Sequence, residues 1–180
     1  MKRDEHFDIV YSEETIGRRV KELGEEISRD YGDRVPILLS ILKGSVVFLA
    51  DMMRALTVTV NVDFMSITSF EKEGRPGGVV RILKDLDLSV SGRDIVIVED
   101  IIDTGLTAGY LISTLEARKP GSLAICALLD RRVRRLVDLP LRYVGFDVPD
   151  DYLVGYGLDH RERYRNLPFL ARLPGEGKNP

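Results

Sequence analysis

The sequence predicts an α/β fold, a mainly parallel sheet buried between helices, and three observations carry that expectation. Ile95-Val96-Ile97-Val98 is β-branched throughout and shows no polar alternation, as a strand covered on both faces requires. Further apolar runs at Val35 to Ile41 and Ser122 to Leu129 have the same character, with helical segments at Val46 to Leu56 and Ala108 to Lys119 between them. At 180 residues the chain is about one domain long and can bury a substantial core.

Taken in order, the chain opens with Met1-Lys2-Arg3-Asp4-Glu5-His6, which is charged and unlike a secretory or transit peptide. Every apolar run is too short to span a bilayer, so the expectation is a cytoplasmic protein with no membrane partner. Ser12 suits a helix N-cap, Glu13 and Glu14 suit the first turn, and Ile16, Val20, Leu23 and Ile27 share one face. Val35 to Ile41 is the first central strand and Val46 to Leu56 the helix after it. Val58, Val60, Val62 and Phe64 alternate, which predicts an antiparallel or edge-like strand. From Ser66 to Gly78 the periodicity is lost and the segment ends in glycines and a proline, a polar insert that is either disordered or a lid. Val79 to Lys84 resumes as a strand, and Asp85 to Gly92 is a polar connection.

Lys119-Pro120-Gly121 ends the helix that starts near Ala108. Cys126, the single cysteine, lies inside Ser122 to Leu129 and reads as a small buried thiol without a disulfide partner. Arg131, Arg132, Arg134 and Arg135 follow; a solvated turn is the ordinary reading, with a subunit contact or a nucleic-acid patch as alternatives. Lys plus Arg total 26 against 29 Asp plus Glu, so no global field draws the chain to nucleic acid. His6 and His160 form no metal-ligand cluster, and Gly175 to Pro180 reads as a frayed tail.

Chemistry concentrates after Val98. Glu99, Asp100 and Asp103 end the buried run, and Asp103-Thr104-Gly105-Leu106-Thr107 then turns into a helix. Free backbone N–H groups and two hydroxyls at a helix N-terminus hold a phosphate. Acids beside such a site need a diol or a hard cation between them and the anion, so Glu99 and Asp100 suit ribose hydroxyls or Mg²⁺. Lys43-Gly44-Ser45, in the first strand-to-helix turn, suggests a second phosphate site.

The stretch Val98-Glu99-Asp100-Ile101-Ile102-Asp103-Thr104-Gly105 resembles the 5-phosphoribosyl 1-pyrophosphate signature of the type I phosphoribosyltransferases, in their hypoxanthine-guanine branch. The resemblance spans roughly residues 7 to 170 and implies the family fold: one domain over 1–180 with a core of about 30–145. A small hood would take about 1–12 and 146–172, and a tail 173–180. It implies Mg²⁺-dependent transfer of the 5-phosphoribosyl group to a 6-oxopurine, with loss of pyrophosphate, in a homodimer or homotetramer. Asp103 would be the general base, and Glu99, Asp100, Asp103, Thr104, Gly105, Leu106 and Thr107 would hold the ribose and its phosphate. Lys43, Gly44, Ser45 and Arg165 would hold pyrophosphate, and Glu99, Asp100 and Asp159 the metal. Ser69-Phe70 stands where the family lid carries Ser-Tyr. Arg131, Tyr152, Leu153 and Asp159 would contact the purine, Arg131 standing where the family has lysine. The resemblance also raises a cis peptide between Leu42 and Lys43. The competing reading is a nucleotide-sensing regulator of the same fold that binds RNA or DNA through the arginines of 131 to 135.

Overall fold

The computed structural model describes residues 7–70 and 79–173. Six strands form the main sheet in the order β4-β3-β2-β5-β6-β7: β2 (Ile37–Leu42), β3 (Asn61–Phe70), β4 (Val79–Lys84), β5 (Asp94–Ile102), β6 (Ser122–Asp130) and β7 (Leu141–Asp147). All neighbours are parallel except β3 and β4. Successive residues of one strand point to opposite faces, and both faces are covered. Leu38, Val96, Val98 and Cys126 pack with Val20, Leu23, Phe48 and Met52 of α1 (Glu13–Tyr31) and α2 (Val46–Ala55). Ile37, Leu39, Ile95, Ile97 and Ile125 pack with Leu111, Ile112 and Leu115 of α3 (Leu106–Glu116). That double cover is why Ile95 to Val98 has no polar alternate. Burial also pushes the Cys126 thiol up, away from reactivity.

The Ser12 hydroxyl accepts from the Thr15 N–H at 3.2 Å and caps α1, whose buried face is Ile16, Val20, Leu23 and Ile27. A separate three-stranded sheet, β1 (Asp8–Tyr11), β9 (Leu170–Arg172) and β8 (Leu153–Val154), is assembled from the two ends of the chain. No helix among the described residues is long and apolar enough to cross a membrane.

Three expectations need correction. The alternating segment starts its strand at Asn61 and leaves Val58 and Val60 outside it; it is antiparallel to β4, as expected, but pairs parallel with β2 and lies one place in from the sheet edge. The misleading polar alternate is Asp63, which is buried; its carboxylate accepts from the Asp87 and Leu88 N–H groups at 2.9 and 2.8 Å. The polar insert begins later than Ser66, because residues 66–70 continue β3 and pair with β4. Ser69 and Phe70 therefore sit on a strand, and the rest of the expected lid, 71–78, lies outside the described residues. Finally, β5 runs on to Ile102, so Glu99 and Asp100 are strand residues rather than loop residues.

Candidate active site

Connections from β2 lead to β3 on one side of the sheet, while those from β5 lead to β6 on the other. The strand order thus reverses between β2 and β5, and such a switch point leaves a crevice beyond the carboxyl ends of the two strands. A cavity of about 460 Å³ lies there, lined by the turn after β2, the end of β5 with the turn after it, Arg131, and residues of the C-terminal segment.

The turn after β2 contributes Lys43 and Gly44, and the Leu42–Lys43 peptide is cis. Gly44 is required by a close approach: a Cβ there would stand 1.8 Å from the Asp100 carboxylate. Ser45 departs from expectation. Its hydroxyl is buried, 2.6 Å from that of Ser40 and donating to the Ile41 carbonyl, so it braces the turn and is not part of the lining.

The turn after β5 contributes Asp103, Thr104, Gly105 and Thr107. Gly105 adopts a left-handed φ of 81° as the N-cap of α3, with no side-chain cap bond. The Leu106 N–H donates weakly to the Thr104 hydroxyl at 3.4 Å, and the next first-turn N–H groups remain available to an anion, favoured by the helix dipole. The side chain of Leu106 is outside the lining, so any part it has in holding a phosphate falls to its backbone.

Glu99 and Asp100 form the floor. Burial, and then the neighbouring Asp100, raise the Glu99 carboxyl well above the usual carboxylate range. Burial raises Asp100 too, against the Ile101 N–H that donates to it at 2.8 Å. Desolvated acids of this kind are hard oxygen donors waiting for a cation or hydroxyl groups. Among the described residues no group of three His, Cys, Asp or Glu is arranged to enclose a metal by itself. Asp159, the third expected ligand, lines the same cavity but is engaged by Arg165 at 2.7 Å.

On the opposite lip, Asp103 Oδ2 accepts from Arg131 Nη1 at 3.1 Å, and Arg131 Nη2 donates to the Asp151 carbonyl at 2.6 Å. Arg131 is only 7% exposed. Asp103 Oδ1 and Arg131 Nε are buried without a hydrogen-bond partner, Nε lying 4.0 Å from the Asp150 carboxylate. Tyr152 presents an open ring, 45% exposed, beside buried Leu153, and its hydroxyl donates to the Asp159 carbonyl at 3.2 Å.

The remaining arginines are engaged by acids. Arg132 pairs with Asp130 and Asp147, Arg134 with Asp150, and Arg135 with Asp130. The run is thus a clasp around the end of β6 rather than a free basic face, and the RNA- or DNA-binding alternative loses its contact surface. Sequence reasoning missed Glu162, whose carboxylate reaches both Lys43 and Arg165, at 3.1 and 3.3 Å. Those two cations hold its carboxyl below the usual range. Its signal was weak: an acid three positions from both Asp159 and Arg165.

Residues 6–162 match the phosphoribosyl transferase domain family. The hypoxanthine-guanine phosphoribosyltransferase of Bacillus subtilis is 46% identical over 165 residues, covering 92% of each chain. That of Streptococcus pyogenes serotype M3 is 43% identical over 168 residues, covering 93% of each. The crystal structure of a hypoxanthine-guanine phosphoribosyltransferase from Bacillus anthracis superposes with a TM-score of 0.90 at 44% identity, covering 94% of this chain and 99% of that one. With the switch-point crevice and its acid floor, these likenesses establish that the chain belongs to the phosphoribosyl transferase family, in its hypoxanthine-guanine branch.

Proposed function

We propose that this chain is a cytoplasmic enzyme that moves a 5-phosphoribosyl group from 5-phosphoribosyl 1-pyrophosphate to hypoxanthine or guanine, releasing pyrophosphate and the nucleoside monophosphate. The observation that carries the reading is the hydrogen-bonded pair of Asp103 and Arg131 on the cavity wall, a carboxylate acceptor beside a guanidinium donor. A 6-oxopurine offers a ring N–H to the first and an oxo group to the second. The open face of Tyr152 supports stacking on the base, with Leu153 beside it.

Breaking the donor's anomeric C–O bond, as the C–N bond to the purine forms, builds positive charge on the ribose and negative charge on the departing pyrophosphate. Catalysis must answer both. Thr104, Gly105, Thr107 and the first amides of α3 anchor the 5-phosphate, while Glu99 and Asp100 accept from the ribose hydroxyls and fix the anomeric carbon. Lys43, the Gly44 backbone and Arg165 stabilise the leaving anion. Asp103 takes the ring proton as the base attacks, with Arg131 holding its carboxylate in place.

The donor set fits Mg²⁺: Glu99, Asp100 and Asp159 offer hard carboxylate oxygens, two of them desolvated. Mg²⁺ keeps water and substrate oxygens in its shell, so an open arrangement suits it. Bound there, it would supply charge neutralisation for the donor's phosphates. Family membership supports one folded unit with a homodimeric or homotetrameric assembly.

A pyrophosphate-release assay with hypoxanthine, guanine, xanthine, adenine and uracil tests the reading. Turnover is expected with hypoxanthine and guanine; activity confined to adenine or uracil, or none at all, refutes it.

A further inference from the structure

Lys43 follows β2 and Arg165 follows the hairpin between His160 and Arg163, and one side chain joins them. Glu162 Oε2 accepts from Lys43 Nζ at 3.1 Å, while Oε1 accepts from Arg165 Nη2 at 3.3 Å. Each carboxylate oxygen thus serves a different cation. The Glu162 N–H donates to Asp159 Oδ2 at 2.8 Å, and Asp159 Oδ1 pairs with Arg165 at 2.7 Å. Two cations and two acids form a cluster of zero net charge at the mouth of the crevice.

The local backbone is unusual in a way that bears on Glu162. His160 and Arg163 exchange backbone hydrogen bonds across a two-residue tip, and the tip residues Arg161 and Glu162 have φ of 52° and 62°. A tight hairpin with both central residues left-handed normally selects asparagine, aspartate or glycine. Placing Arg-Glu there instead fixes a long acidic side chain at a point from which it spans both cations. Structural needs alone favour a shorter residue.

We propose that Glu162 is a positioning residue that acts as an internal stand-in for pyrophosphate: its carboxylate gathers Lys43 and Arg165 and yields its place when the donor binds. The proposal rests on the pyrophosphate role given to Lys43 and Arg165. Its side chain is solvent-accessible and lies on a rim rather than in the cavity wall, so it can swing clear without moving the fold. A neutral cluster also holds the product less firmly than bare cations would, which assists release. Donor affinity is the quantity sacrificed.

The test is calorimetric titration of magnesium pyrophosphate into the full chain, with steady-state kinetics alongside. Glu162→Gln keeps the length and removes the charge. It should tighten pyrophosphate binding about three- to tenfold, the scale of two exposed ion pairs no longer competing. The KM for the donor should fall by a similar factor while the KM for hypoxanthine stays put, a split that a general loss of fold would not produce. Glu162→Ala should change binding in the same direction. If Lys43→Ala and Arg165→Ala weaken pyrophosphate binding but neither Glu162 variant tightens it, the stand-in role is overturned and the two cations keep theirs. Unchanged binding in Lys43→Ala and Arg165→Ala removes both.

Discussion

Asp103 faces a guanidinium at 3.1 Å and a second, from Arg134, at 3.7 Å, yet keeps one oxygen without a partner. That asymmetry is what a base needs: one oxygen held for aim, the other free for a proton. Asp103→Asn preserves the shape and the held oxygen but cannot accept the proton. It should lower kcat by about 10²- to 10⁴-fold, with the donor KM nearly unchanged; equal loss in both would place Asp103 in binding. At Glu99 the sign of the pH effect follows from burial. Its raised carboxyl binds a proton more tightly in the native state than in the unfolded chain. That contribution to stability is present below the unfolded pKa and is lost as pH rises through the raised native one. Glu99→Gln should flatten this fall and raise the melting temperature near pH 7 in metal-free buffer, while lowering activity at least about tenfold. Parallel stability curves for the two proteins across pH 4 to 8 would refute it. These acids were legible because a buried β-branched run rarely ends in carboxylates without chemical cause. Ser45 was not, since a hydroxyl next to a phosphate turn has the same sequence whether it faces the ligand or, as here, Ser40.

Between β2 and α2 the turn touches β5 so closely that its glycine is decided by a neighbouring strand. Gly44→Ala would drive a methyl into the Asp100 carboxylate, which would have to give up the Ile101 N–H to move aside. Overpacking of that kind costs about 1–3 kcal/mol, so urea unfolding should show a lower midpoint, and the donor KM should rise at least tenfold, about the effect of misplacing one anchor. Retained stability and affinity would mean the turn is softer than it looks. The parallel strands β2, β5 and β6 were readable because burial on both faces suppresses polar alternation. The antiparallel pairing of β3 with β4 was readable, but its buried, parallel side was not: Asp63 satisfies itself on the backbone of 87 and 88, and a buried carboxylate of this sort mimics a solvent-facing position. Long-range partners, not local pattern, made that choice.

At the scale of the whole molecule the crevice is shared between a sheet that is local in sequence and a small sheet that is not. β1 pairs with β9, Asp8 opposite Arg172, and Arg172 reaches the carboxylates of Asp8 and Asp151 at 2.7 and 2.6 Å. Asp151 in turn offers its carbonyl to Arg131. Deleting residues 2–11 should therefore raise the KM for hypoxanthine more than that for the donor, and the unpaired edge of β9 should promote association, visible by light scattering. A variant with both KM values intact would show that β1 supports nothing at the base. The family motif made the phosphate side of this crevice legible, while the small sheet was legible only as the hood that the resemblance put at about 1–12 and 146–172, because its strands are too short to announce themselves. Its construction also has a temporal meaning. On the ribosome β1 emerges before β2 to β8 and must wait for β9, the last of these strands to be translated, before it has a neighbour. The turn after β5 can form while synthesis continues, but Tyr152 and Arg165 await the C-terminal segment, so on the proposed roles a nascent chain would complete its 5-phosphate cradle before the rest of the crevice.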